Sequence, residues 1–130
     1  GIIDRMFVEG ESHIPMELKT GPWKEYKTTM MRKEMAFYKL LFDNCPNEIL
    51  EDNGVDPDIP ITHWGWYYPQ SHYITVEPVK KRTETAVMKG INDLIEAYEQ
   101  GVFPTKFYAK TCSFCSFFGI CDAANTESWI

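Results

Sequence analysis

Nowhere does this sequence hold an apolar run of about 18 residues, the length a helix needs to span a bilayer. Its first residues also lack the basic stretch and apolar core of a secretory signal. Membrane insertion and export are therefore not expected, and the cytoplasm is the default compartment. Internal repeats and low-complexity tracts are missing too, which excludes solenoids and tail-like segments. An initiator Met is absent, and Gly1-Ile-Ile-Asp4 opens on apolar residues with no polar lead-in, as expected of a piece of a longer chain. Disorder is excluded by composition: 44% hydrophobic and 15% aromatic residues suffice for a packed core in 130 residues. A single domain over residues 1–130 is expected.

Basic charge is in short supply as well. The formal net charge of −6 argues against indiscriminate phosphate binding, which depends on clustered Lys and Arg. The charge is nevertheless segregated. Residues 19–39 carry Lys19, Lys24, Lys27, Arg32, Lys33 and Lys39 against only Glu25 and Glu34. Residues 40–58 carry Asp43, Glu48, Glu51, Asp52, Asp56 and Asp58 and no base. Lys80-Lys81-Arg82 forms a second basic run. Without a site nearby, such runs are simply solvated faces.

Apolar density predicts a strand over residues 1–8, a turn at 9–12 and a second strand over 13–20. Met31, Met35, Tyr38 and Phe42 recur at helical spacing within residues 28–44. Pro, Asp, Asn and Gly mark residues 45–60 as an exposed loop. Strands are expected over 61–68 and 72–76. A second amphipathic helix over 79–99, with apolar residues at Val87, Ile91, Leu94, Ile95 and Tyr98, ends at Gly101 in the manner of a C-cap. Strand, strand, helix, strand, strand, helix without tandem βαβ units points away from a doubly wound fold. An α/β (α+β) core over 1–101, a small mixed sheet covered by helices, is expected, followed by a cysteine-rich segment over 102–130.

Three constellations bear chemistry. Asp4 lies near the end of the first strand, and Glu17-Leu18-Lys19 lies in the second, where period-2 geometry puts Glu17 and Lys19 on one face beside Asp4. Paired carboxylates are natural ligands for Mg²⁺ or Mn²⁺, and a neighbouring lysine can orient water or offset developing charge. Acid, acid and lysine suit phosphodiester hydrolysis. Ordinary charged pairs on a strand edge produce the same pattern. Glu34 and Tyr38, at i and i+4 on the helix, project together; in isolation they are a surface acid beside a half-buried phenol. Finally, Cys112, Cys115 and Cys121 follow a C-x2-C-x5-C spacing. In an intracellular chain, such cysteines point to a metal or cluster more than to disulfides. Cys45, in a different loop, is one candidate for a fourth ligand, and inert buried thiols are the plainer alternative.

In order and interval, these constellations resemble the RecB-like branch of the PD-(D/E)XK nuclease superfamily, in particular the CRISPR-associated RecB-like exonucleases and the AddB nuclease domain. Gly1-Ile-Ile-Asp4 matches its Gly-x-x-Asp motif, Glu17-Leu18-Lys19 its (Asp/Glu)-x-Lys motif, and Glu34-Met-Ala-Phe-Tyr38 its Gln-x-x-x-Tyr motif with Glu in place of Gln. The resemblance implies a restriction-endonuclease-like fold and a DNA exonuclease acting on single strands or ends. Asp4, Glu17 and the Leu18 carbonyl would be metal ligands, and Lys19, Glu34 and Tyr38 would serve catalysis. It further implies a [4Fe–4S] cluster, or zinc, on Cys112, Cys115 and Cys121. Lys24, Lys27, Arg32 and Lys33 would form a DNA-facing surface. A helicase or another recombination, repair or CRISPR-type subunit would be the partner. The family's usual first helix and strand, and its upstream cluster cysteine, have no counterpart here, so part of the core is expected to be missing.

Two other functions fit the residues without the resemblance. A non-catalytic nucleic-acid-binding or assembly module stabilised by zinc or iron–sulfur would bind DNA in a salt-sensitive way with no need of divalent metal. A zinc-stabilised protein-interaction domain would use Trp64, Trp66, Tyr67 and Tyr68 as a surface, although that aromatic run reads better as strand core.

Overall fold

The computed structural model describes residues 2–124. Gly1, the first residue of the Gly-x-x-Asp match, lies outside them. The chain divides into two compact units at Ile91/Asn92, within the last long helix, and each is described by itself.

The first unit is built on a four-stranded sheet in the order β1 (Arg5–Glu9), β2 (Ser12–Leu18), β3 (His63–Tyr68), β4 (Tyr73–Pro78). The outer pairs are antiparallel hairpins and the central β2–β3 pair is parallel. A parallel neighbour requires a crossover, and the chain makes it through α1 (Thr28–Asp43) and α2 (Asn47–Asp52). Residues 45–60, expected to be loop throughout, thus contain a short helix. Pro46 opens it, and Glu48 in its first turn suits the helix dipole.

Period-2 alternation sorts the two sheet faces. Trp64, Trp66 and Tyr68 of β3 point to one side and are 0%, 1% and 2% exposed, so these three of the aromatic run are core while Tyr67 is not. The three pack with Met31 and Met35 of the predicted helical face, with Ala36, and with a partly buried Tyr38. Tyr67 and Ile74 point to the other side and remain substantially exposed. β1 departs from the buried strand that its sequence suggested: it is the sheet's edge, and Phe7 and Val8 are exposed. Apolar density marks a strand but does not say whether a second strand flanks it.

Gly65 belongs to β3 because a side chain does not fit there. A Cβ would collide with the Thr75 carbonyl oxygen of β4 and come within 2.5 Å of Met16 Sδ. Glu77 ties the layers together: it accepts a bidentate pair from Arg32 of α1 at 2.8 and 2.9 Å and a bond from Trp64 Nε1 at 3.0 Å. The long helix α3 (Lys81–Gln100) ends as foreseen, with Gly101 at a φ of 68°. Its Glu84 pairs with Lys39 of α1 at 2.7 Å.

The second unit contains the rest of α3, a one-turn helix α4 (Ala109–Cys112) and consecutive turns through Ala124. Leu94, Ile95 and Tyr98 of α3 are exposed.

Candidate active site

The hairpin places the first carboxylate. Arg5 pairs with Met16 in antiparallel register, and one further step sets Asp4 opposite Glu17. Asp4 immediately precedes β1, and its Oδ2 accepts the Leu18 backbone N–H at 3.0 Å. The strand ladder continues past Leu18, with Lys19 N–H donating to the Tyr67 carbonyl at 3.0 Å. Glu17 and Lys19 therefore share a face. Lys19 Nζ sits 3.9 Å from Glu17 Oε1 and 3.0 Å from Glu34 Oε1. Tyr38, one turn after Glu34 on α1, feels the charges of Glu17, Glu34, Lys19 and Asp4. The five residues read from sequence as one catalytic group are thus brought together, although α1 and the hairpin are separate elements.

The electrostatics are those of a strained acid pair. Glu17 is buried, at 7% exposure, and with both acids ionised its Oε2 has no donor in reach. Burial, the hydrogen bond shared with Asp4, and the charges of Asp4 and Glu34 push its pKa up to about 7. Asp4 moves the opposite way, lowered chiefly by the Leu18 N–H and then by Glu17. Two adjacent anions repel unless a cation joins them, which is why the protonated form of Glu17 is favoured beside an ionised Asp4. Burial disfavours the Lys19 ammonium, but the bond and charge of Glu34, with Glu17 behind it, outweigh burial and hold its pKa above the usual lysine value. Burial, followed by Glu17 and Glu34, raises the Tyr38 phenol.

Asp4, Glu17 and the free Oε2 fit a divalent cation that draws its remaining ligands from backbone carbonyls, water and substrate. Among the described residues, no group of three or more His, Cys, Asp or Glu is placed to hold a metal. The cation would therefore rest on two side-chain carboxylates. By the same observation, Cys112, Cys115 and Cys121 do not converge as a three-thiol set; they carry no disulfide, and only Cys115 is fully exposed.

The basic residues divide. Lys24 and Lys33 are exposed. Lys27 donates to the Pro22 carbonyl at 2.6 Å and lies 5.3 Å over the Tyr68 ring. Arg32 is held by Glu77, so its guanidinium is already spoken for. Sequence reasoning missed Glu77, although its period-2 relation to Tyr73 and Thr75 placed it on the buried face. It also missed an apolar groove of about 480 Å³ lined by Ile3, Met6, Tyr38, Leu41, Ile49 and Leu50, among others. No single sequence segment carries that groove.

No known protein family matches the chain, and no curated protein matches it.

Proposed function

We propose that this chain is the catalytic part of a metal-dependent DNA nuclease of the RecB-like PD-(D/E)XK type. Its mixed sheet would be the restriction-endonuclease-like core. The reading is carried by one observation: Asp4, Glu17, Lys19, Glu34 and Tyr38 meet around a buried carboxylate oxygen that, with both acids ionised, has no hydrogen-bond partner among the described residues. A purely structural role for these acids gives no reason to bury Glu17 Oε2 unsatisfied beside a second carboxylate.

Asp4 and Glu17, with the Leu18 carbonyl, would hold Mg²⁺ or Mn²⁺. Such an ion supplies Lewis acidity toward a phosphoryl oxygen and a more acidic water. A bound cation would favour the ionised form of Glu17, whose proton would pass to solvent. Lys19, fixed by Glu34, stays charged and presents an ammonium to the attacked phosphate or to the attacking water. Glu34 stands where the family has Gln, and Lys19 neutralises the charge that would otherwise repel a phosphate. The Tyr38 phenol, kept protonated by its surroundings, would be available as a hydrogen-bond donor to a bound phosphate. Lys24, Lys27 and Lys33 steer the backbone, with DNA strands or ends as substrate and a recombination, repair or CRISPR-type subunit as partner. An iron–sulfur or zinc group on Cys112, Cys115 and Cys121 would be structural, and no catalytic step involves it.

The test is cleavage of labelled single- and double-stranded DNA with Mn²⁺, Mg²⁺ or EDTA, alongside Lys19→Ala. Metal-dependent cutting that falls by about 100-fold or more in the variant is expected from loss of a charge-stabilising group at the reacting phosphate. Cutting that survives in EDTA or in Lys19→Ala overturns the reading.

A further inference from the structure

A strand at the edge of a sheet offers unpaired backbone groups to other chains, and most such strands are protected by a charge in mid-strand, a proline or a bulge. β1 carries none of these. Its sequence is Arg5-Met6-Phe7-Val8-Glu9, and its register with β2 runs unbroken from Arg5 opposite Met16 to Glu9 opposite Ser12. No strand among the described residues pairs with its outer side. Phe7 and Val8, in the middle of that edge, are 55% and 60% exposed. The charges at its two ends are also unanswered within the chain. Neither Arg5 nor Glu9 faces an opposite charge across the hairpin, and neither enters an ion pair among the described residues.

We propose that β1 is a self-pairing edge, through which two copies of this chain join their sheets about a two-fold axis at Phe7. Antiparallel pairing in that register sets Arg5 opposite the partner's Glu9 and Glu9 opposite the partner's Arg5. Met6 then meets the partner's Val8, and Phe7 meets the partner's Phe7. A shift of one residue would place Arg5 opposite Val8 or Gly10 and leave both charges unmatched, so the sequence selects this register. The occupant is a second copy because the strand is its own charge complement. Alternation puts Arg5, Phe7 and Glu9 on one face, so the Phe7 pair is flanked by two Arg–Glu pairs. On that face it extends the apolar lining that Phe7 already shares with Leu18, Tyr67 and Ile74. The outer N–H and C=O groups of both strands gain partners at the same time. One five-residue strand per copy is a small interface, so the dimer should dissociate on dilution. The axis stands perpendicular to the joined sheet and keeps both α1-covered faces on one side. Asp4, three residues from the axis, then lies about 20 Å along the strands from the partner's Asp4.

The test is sedimentation equilibrium of the whole chain over a concentration series, in EDTA and with a reductant so that cysteines cannot link the copies. Wild type is compared with Arg5→Glu, with Glu9→Arg, and with an equimolar mixture of those two variants. Both residues are exposed and lie outside the catalytic group, and no DNA or divalent metal is present, so the result stands apart from the nuclease reading. Wild type should show a reversible monomer–dimer equilibrium. Each reversal should weaken it by about tenfold or more, because two attractive cross-strand pairs become two repulsive ones. The mixture should regain the dimer, since one variant then brings two acids and the other two bases to the shared seam. A strand that had merely lost its fold would not be rescued by mixing. Wild type that stays monomeric throughout, an assembly larger than two, a dimer indifferent to either reversal, or a mixture no tighter than its parts would overturn the proposal.

Discussion

Glu17→Gln isolates the energetic cost of the buried acid pair. In the folded chain Glu17 has a pKa of about 7 against 4.5 for an ordinary glutamate, so the folded state holds this proton more tightly than the unfolded state does. Stability from that proton is fully present below the unfolded value of 4.5, is lost as pH rises, and is gone above about 7. The depressed pKa of Asp4 acts in the opposite sense and below its ordinary 3.8, outside this window. The ceiling for Glu17 is about 3 kcal/mol. Sharing the proton with Asp4 spreads the titration over both groups, and about 1–2 kcal/mol is the expected size. Glutamine keeps a donor toward Asp4 and never ionises, so its contribution is flat across the window. The assay is thermal unfolding in EDTA from about pH 5 to about pH 8. The two proteins should melt together at the acidic end, and the variant should melt several degrees higher at the basic end. Saturating Mn²⁺ should stabilise wild type at high pH and leave the variant unmoved, because only wild type retains both carboxylates. Melting curves that stay parallel across the range in EDTA would refute the buried acid pair.

Other perturbations probe separate parts of the molecule. Gly65→Ala should cost about 2–4 kcal/mol, read as a shift in urea midpoint, because the Thr75 backbone oxygen that its Cβ meets cannot move aside. Arg32→Ala should cost about 1–2 kcal/mol by leaving the half-buried Glu77 short of its bidentate partner; adding Glu77→Gln should restore part of that stability, and a strictly additive double variant would contradict the coupling. The three thiols are not gathered in the structure, so an iron–sulfur or zinc group on Cys112, Cys115 and Cys121 requires them to close around it: anaerobic loading with iron and sulfide, or with zinc, would have to give one bound group per chain that each Cys→Ser variant abolishes, and a chain that takes up no group refutes the cluster.

Local pattern was enough for the elements that bury a face. The Met31, Met35, Phe42 spacing marked α1, and the alternation of Trp64, Trp66 and Tyr68 marked a core strand, because each reports which side of a regular element leaves water. The Gly101 C-cap was equally visible, since a positive φ favours glycine. The six-residue helix α2 was hidden: it lies in a Pro-, Asn-, Asp- and Gly-rich stretch that reads as loop, and no long apolar stripe betrays so short a helix. The residue types of the site were visible in Asp4, Glu17 and Lys19, as was the i, i+4 pairing of Glu34 with Tyr38. Tertiary structure alone decided that Glu34 lies 3.0 Å from Lys19, that Arg32 is committed to Glu77, and that Glu17 is buried with an unsatisfied oxygen. The physical reason is range. Periodicity and capping act within a few residues, whereas the parallel β2–β3 pairing that carries α1 across the sheet joins segments nearly fifty positions apart, and only that closure sets which charges meet.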